Sequence, residues 1–282
     1  MLLASVVCPA ADLAVQRLAL HQYEDGPLNA PGYEYLPGET VWLSARISGY
    51  ERKVQDVEEE TDNARLSWQL RVLDPSGTLV VPPMRGLIEE TLRTKEDREW
   101  VPKFVVSFLV PSHAGRGEYR IPVTIRDDIS KKEAAGEIRF RVKGEETPAK
   151  DTALGIRDFR FLANPDDRVP LRPAAYKQGS ALIARFQIVG YSYEGNNRFD
   201  VDYGLAIQTA PDAEGDSRIM LQQERAATEK GESFYAQRWI PAGFGFKLDS
   251  DVPVGEYTVI LIVRDKITGK TAEVRDTFRV VP

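Results

Sequence analysis

GEYRIPVTIRD, Gly117 to Asp127, returns late in the chain as GEYTVILIVRD, Gly255 to Asp265. In both, apolar residues fall on every second position after the Tyr, the period of a strand with one buried face. Each stretch is followed by a charged turn and then by a matching ending, Arg139 to Val142 in one case and Thr277 to Val280 in the other. A strand that recurs together with its successor is an internal repeat, and a repeat governs the reading of the whole chain.

Working outward from these anchors, Tyr35-Leu-Pro-Gly-Glu39 aligns with Tyr176-Lys-Gln-Gly-Ser180. That alignment runs without a gap from Leu18 on Phe159 to Gly49-Tyr50 on Gly190-Tyr191. Leu66-Ser-Trp-Gln-Leu-Arg-Val72 then matches Val201-Asp-Tyr-Gly-Leu-Ala-Ile207, and Trp100-Val-Pro102 matches Trp239-Ile-Pro241. Thr40 to Ile47 and Phe104 to Val110 are rich in the β-branched and aromatic residues that suit a pleated surface. Leu73-Asp-Pro-Ser-Gly77 and Lys266-Ile-Thr-Gly-Lys270 carry turn chemistry. About seven short strands per copy predict an all-β sandwich for each. Helix is confined, at most, to a piece around Leu87 to Arg98.

The bulk numbers agree with two ordinary domains. The chain has 282 residues, 42% hydrophobic and 28% charged, long for one core and far from the composition of disorder. A net charge of -6 with both signs interspersed lacks the clustered Lys and Arg that nucleic acid or an anionic membrane would call for, so no nucleic-acid partner is expected. The one cysteine, Cys8, has no partner for an internal disulfide, and the two histidines, His21 and His113, are too few for a His-rich metal site. The N-terminal MLLASVVCPAADLA pairs a short apolar run with small residues, like the tail of a secretory signal, and is too short to span a bilayer. The expected layout is a signal remnant over 1–14, a first sandwich over 15–143, a polar linker over 144–153 and a second sandwich over 154–282. The leader predicts an extracytoplasmic protein, periplasmic or secreted, with no integral membrane segment.

Gly117-Glu-Tyr-Arg-Ile121 and Gly255-Glu-Tyr-Thr-Val259 resemble the Gly-x-Tyr-x-Cys start of strand F in immunoglobulin-like domains, with Ile121 or Val259 in place of the Cys. The resemblance implies that Tyr119 and Tyr257 are tyrosine corners whose hydroxyls bond the backbone upstream. It also implies that Trp68 stands where such domains keep the buried strand-C Trp, with Tyr203 in that place in the second copy. The chain is thus similar to tandem bacterial immunoglobulin-like, or fibronectin-III-like, repeats without disulfides. A fold-level likeness brings no activity with it.

A residue present in both copies serves the fold first, and one confined to a single copy is freer to serve function. By that filter Trp100 and Trp239, Tyr50 and Tyr191, Glu118 and Glu256, and Asp127 and Asp265 are structural. The copy-specific features are three. Val54 to Asp62 is an acidic insertion between strands B and C, without the alternating spacing of a calcium loop. Tyr191-Ser-Tyr-Glu-Gly-Asn-Asn-Arg-Phe199 lies at the same place in the second copy. There Tyr191, Tyr193, Asn196, Asn197 and Arg198 form a candidate contact surface for protein or glycan, because rigid aromatics supply area at little entropic cost. Met84 to Trp100 and Leu221 to Trp239 are long charged connections that read as mobile loops, extra edge strands or a helical cap.

For catalysis the chain has no G-x-S-x-G elbow, no H-E-x-x-H, no phosphate-cradling Gly loop and no Cys paired with a His. No catalytic residue, no cofactor and no metal is therefore expected. The sequence predicts a non-catalytic exported binding, adhesion or scaffold module presenting the loops and sheet edges of two sandwiches. A carbohydrate-binding or enzyme-inhibitor accessory module is the alternative, and a hydrolase comes third; a glycosidase among hydrolases would need two acids converging across a cleft.

Overall fold

The computed structural model describes residues 12–149 and 152–282, in which all regular structure is strand apart from one 3-10 turn, Gly195–Asn197. Most of the signal-like segment, including Cys8, and two residues of the expected linker lie outside the described residues. The chain divides into two compact units, the first ending at Glu146 and the second starting at Thr147.

The first unit contains β1 (Ala14–His21), β2 (Glu34–Tyr35), β3 (Thr40–Ser48), β4 (Lys53–Asp56), β5 (Thr61–Leu70), β6 (Met84–Arg93), β7 (Lys103–Leu109), β8 (Gly117–Asp127) and β9 (Glu133–Val142). One sheet runs β1-β3-β7, and the other runs β2-β9-β8-β5 with β4 and β6 both paired to β5. The second unit contains β10 (Gly155–Leu162), β11 (Ala175–Lys177), β12 (Ala181–Val189), β13 (Phe199–Thr209), β14 (Ile219–Gly231), β15 (Trp239–Lys247), β16 (Gly255–Asp265) and β17 (Thr271–Val281). Its sheets run β10-β12-β15 and β11-β17-β16-β13-β14. In immunoglobulin lettering each unit is an A-B-E sheet against an A′-G-F-C sheet with one strand added beyond C, and the first unit carries in addition the short β4 on β5. The short A′ pieces, β2 and β11, pair in parallel with β9 and β17, and all other ladders are antiparallel.

The repeated stretch produces this arrangement by its period. In β8, Tyr119, Ile121, Val123, Ile125 and Asp127 are buried, and in β16 Tyr257, Val259, Leu261, Val263 and Asp265 are buried, while the residues between them face outward. Each apolar side chain so buried contributes about 1.5–3 kcal/mol. In the second unit this face meets Phe161, Leu182, Phe186 and Ile240 from the other sheet in one core. In the first, Trp68 of β5 stacks on Phe104 of β7, ring centroids 4.3 Å apart and 6° from parallel.

Both corner tyrosines make the expected bond. Tyr119 donates to the Gly115 carbonyl at 2.9 Å, and Tyr257 donates to the Pro253 carbonyl at 2.8 Å. Trp68 and Tyr203 occupy matching register, opposite Ile125 and Val263 respectively. Trp68 is only half-buried, because it lies toward the added edge strand rather than at the centre, whereas Tyr203 is buried with its hydroxyl on the Gly243 carbonyl at 2.8 Å.

Two expectations need correction. The units hold nine and eight strands rather than about seven, and the stretch around Leu87 to Arg98 is not helical. Residues Met84 to Arg93 form β6, paired with β5 from Leu70↔Met84 to Thr61↔Arg93. Ladder hydrogen bonds along β5 outweigh whatever helical preference the segment has. The connection Leu221 to Trp239 is likewise mostly strand, the greater part of it in β14. The acidic insertion is a hairpin through β4, whose tip is held by Asp56 accepting from the Glu58 and Glu59 amides.

Candidate functional site

Each unit fixes its B to C connection with one buried acid at the end of the repeated strand. In the first, the Asp127 carboxylate accepts from the amides of Glu51 at 2.8 Å and Ile129 at 2.9 Å and from the Ser130 hydroxyl at 2.8 Å. In the second, Asp265 accepts from the amides of Ser192 and Ile267, both at 3.0 Å, and from the Thr268 hydroxyl at 2.7 Å. Burial pushes both carboxyls up, and these hydrogen bonds outweigh it, leaving both below the usual carboxylate range. The filter by copy assigns both acids to the fold, and their geometry is that of a joint between two loops.

Immediately before those joints stand Tyr50 and Tyr191. Tyr50 donates to the Trp100 carbonyl at 3.0 Å and packs edge-on against its ring. Arg52 adds hydrogen bonds to the Tyr50 oxygen and to the Asp97 carbonyl. Tyr191 is buried, packs on Phe199 and Tyr193, and donates to the Gln237 carbonyl. The Tyr193 hydroxyl shares that same carbonyl. Burial first, and then the neighbouring tyrosine, pushes the Tyr191 hydroxyl far up, so it stays neutral.

The connection Tyr191 to Phe199 therefore does not present a row of aromatic faces, as a glycan platform built on these tyrosines would require. Its solvent-facing groups are polar. Asn196 and Asn197 adopt left-handed backbone, φ 61° and 55°, which Asn tolerates better than most residues. The Asn196 amide reaches Glu232 at 2.9 Å, and the Asn197 amide reaches the carbonyls of Ser233 and Phe234 at 3.1 and 2.8 Å. Arg198 pairs with Glu194 at 2.6 Å. These bonds tie the turn to the segment after β14, where Phe234 is 50% exposed. Nothing in the sequence pattern singles out Phe234, and only the hydrogen-bonding partners across the end of the unit bring it beside the candidates.

The sheet edges make up the remaining exposed surface. β6 pairs only with β5 among the described residues, over ten consecutive residue pairs without a shift, and its other edge is open. Leu87 stands exposed on its outer face, among Arg85, Glu89 and Arg93. β14 is also an edge, largely exposed, and begins with the exposed residues Ile219, Met220 and Leu221. Among the described residues no group of three or more His, Cys, Asp or Glu side chains is placed to hold a metal ion. No helix among them is long and apolar enough to cross a membrane.

Sheet order and paired tyrosine corners define the class: an immunoglobulin-like β-sandwich in each unit. No family model and no curated protein matches the chain. Among solved structures it is similar to the C-terminal domain of the antigen I/II-family protein AspA of Streptococcus pyogenes, at 8% identity and a TM-score of 0.31, covering 97% of this chain and 100% of that one. It is similar also to the C-terminal domain of the antigen I/II polypeptide BspA of Streptococcus agalactiae, at 10% identity and a TM-score of 0.29, covering 96% and 100%. A third is red sea bream transglutaminase, at 9% identity and a TM-score of 0.27, of which this chain spans 31%. Superpositions this loose add nothing to the strand order itself.

Proposed function

We propose that the chain is a non-catalytic binding or adhesion module of the cell exterior, built from two immunoglobulin-like sandwiches, 15–143 and 154–282, that descend from one duplicated ancestor. Supporting the duplication are the matching sheet orders, the two tyrosine-corner bonds four residues upstream and the two buried acids at matching ends of β8 and β16. The partner is a protein that adds an extended strand to a sheet edge. The observation that carries this is β6, a regular ten-residue strand with one edge fully paired and the other open. An open ladder of N–H and C=O groups is a template for strand addition, with affinity from the main chain and selectivity from alternate side chains. Asn196, Asn197 and Arg198, backed by Tyr191 and Tyr193, form a second, polar contact area at the end of the second unit.

The test is to capture proteins from an envelope extract on the immobilised chain and follow amide hydrogen exchange in the complex. Slowed exchange along Met84–Arg93 is expected. Slowing confined to Tyr191–Phe199 would move the contact to the loop end, and no slowing at either place would sink the reading.

A further inference from the structure

The open edge of β6 is bounded at both ends. The Thr94 amide donates to the Glu60 carbonyl at 2.8 Å, one step beyond Thr61↔Arg93 in the same register. Bonded and non-bonded pairs alternate along an antiparallel ladder, so the even-numbered residues of β6 bond β5 and the odd-numbered ones aim their N–H and C=O groups at the open edge. Arg93 is closed off there: its amide donates to the Asp97 carboxylate at 2.8 Å, and its carbonyl accepts from the Asp97 amide at 3.0 Å. At the other end Pro82 and Pro83 have no N–H to offer. The free ladder is carried by Arg85, Leu87, Glu89 and Thr91.

Three of these side chains form a pattern that is its own complement. Arg85, Leu87 and Glu89 stand exposed on one face of β6. Turned end for end about Leu87, the strand sets Arg85 opposite Glu89, Leu87 opposite itself and Glu89 opposite Arg85. Directly opposed residues have Cβ atoms about 4.5–5.5 Å apart, where unlike charges attract and like charges repel. Arg85 has no ion pair among the described residues. Glu89 spends only Oε1 on Arg65, at 3.3 Å, so a second arginine can take Oε2. On the other face, Ile88 of a second copy comes opposite Gly86, beside the half-buried Trp68 ring.

The other registers are poorer. An axis on Arg85, Glu89 or Glu90 sets a charge against its own copy, and an axis on Gly86 or Ile88 leaves Arg85 and Glu89 without an opposite charge. An axis on Thr91 pairs Glu89 with Arg93, whose main chain Asp97 already occupies. We propose that the open edge of β6 pairs with β6 of a second copy of this chain, antiparallel, about a two-fold axis through Leu87. This deepens the strand-addition reading and rests on it, naming the partner as another copy. Such an interface is isologous and closes on itself, so it ends at a dimer. One strand against one strand is a small contact, and the dimer is therefore reversible.

Sedimentation velocity of the full chain from about 1 to 500 μM tests this, with the chain expected to pass from monomer to dimer across that range. Arg85→Glu and Glu89→Arg each set like charges opposite one another on both sides of the axis, and each alone should weaken the dimer about tenfold or more. An equimolar mixture of the two variants makes both opposed pairs unlike again and should regain association, which also shows that both variants are folded. Amide hydrogen exchange in the dimer should slow along Arg85 to Thr91. A chain monomeric throughout the range, variants that associate no better mixed than alone, or a dimer protected elsewhere would each overturn the self-pairing. Strand addition itself stands in those cases if an envelope protein still slows exchange along Met84–Arg93.

Discussion

β6 and β14 occupy the same place in their sheets, each added beyond the strand that pairs with the repeated stretch, yet one is straight and the other bent. The ladder of β6 is unbroken from Thr61↔Arg93 to Leu70↔Met84, while β14 slips against β13 twice, between Tyr203 and Leu205 and between Ile207 and Gln208. A glycine underlies each shape. At Gly86 the Trp68 indole lies so close that a Cβ would come within 2.5 Å of it, so only glycine lets the ring lie over β6. At Gly204 a Cβ would come within 2.1 Å of the Glu224 carbonyl oxygen, which is the bulged backbone of β14. That bulge is clamped by Arg264, which donates to the Glu224 carbonyl at 2.7 Å and to Asp202 at 3.1 Å. Arg225 from the bulge itself reaches the same Asp202 at 3.2 Å. Bulges and edge charges are both known guards against unwanted pairing. β14 has both, and β6 has edge charges without a bulge, which leaves its backbone ladder regular enough to receive a partner.

The contrast breaks first at the glycines. Gly204→Ala should cost about 3 kcal/mol, because backbone must move, and Gly86→Ala about 2 kcal/mol, because one ring must move. Denaturant unfolding checks the order, and Gly86→Ala should also shift the tryptophan emission. Equal costs would mean that the two edges are held alike.

The two units should agree at their joints even where their edges differ. Asp127→Asn and Asp265→Asn should each destabilise by about 1–3 kcal/mol through amides left without an acceptor. A carboxyl whose folded pKa lies below its unfolded value, about 3.9, stabilises the fold above that value and loses the effect as pH falls through the folded pKa. Both acids are lowered, so stability should decline on acidification below about pH 4, and each Asn variant should show a shallower decline. Smaller still, Tyr119→Phe and Tyr257→Phe should each cost about 1 kcal/mol, read as melting-temperature shifts. A loss in one unit alone would separate the two corners.

The strands that carry the repeat were legible because one face of each is buried, and burial writes period two into the residues themselves. Ile219 to Gly231 escaped that reading because an exposed edge strand has no buried face to alternate with, and its Gln, Glu and Arg look like loop. Met84 to Arg93 suffered likewise: Gly86 makes sense only once Trp68, far off in sequence, is seen lying over it. The candidate contact residues were half legible. Asn196, Asn197 and Arg198 fall in or beside the turn between β12 and β13, and the inward turn of Tyr191 and Tyr193 depends on the Gln237 carbonyl in a distant loop.

The parallel stitch of β2 on β9 and of β11 on β17 has a mechanical meaning. Each stitch joins the first part of a unit to its last strand, with both running the same way. Tension applied to a unit through its two ends would load those hydrogen bonds side by side, so that they yield together instead of unzipping in turn. Two residue pairs share the load in the first unit and three in the second.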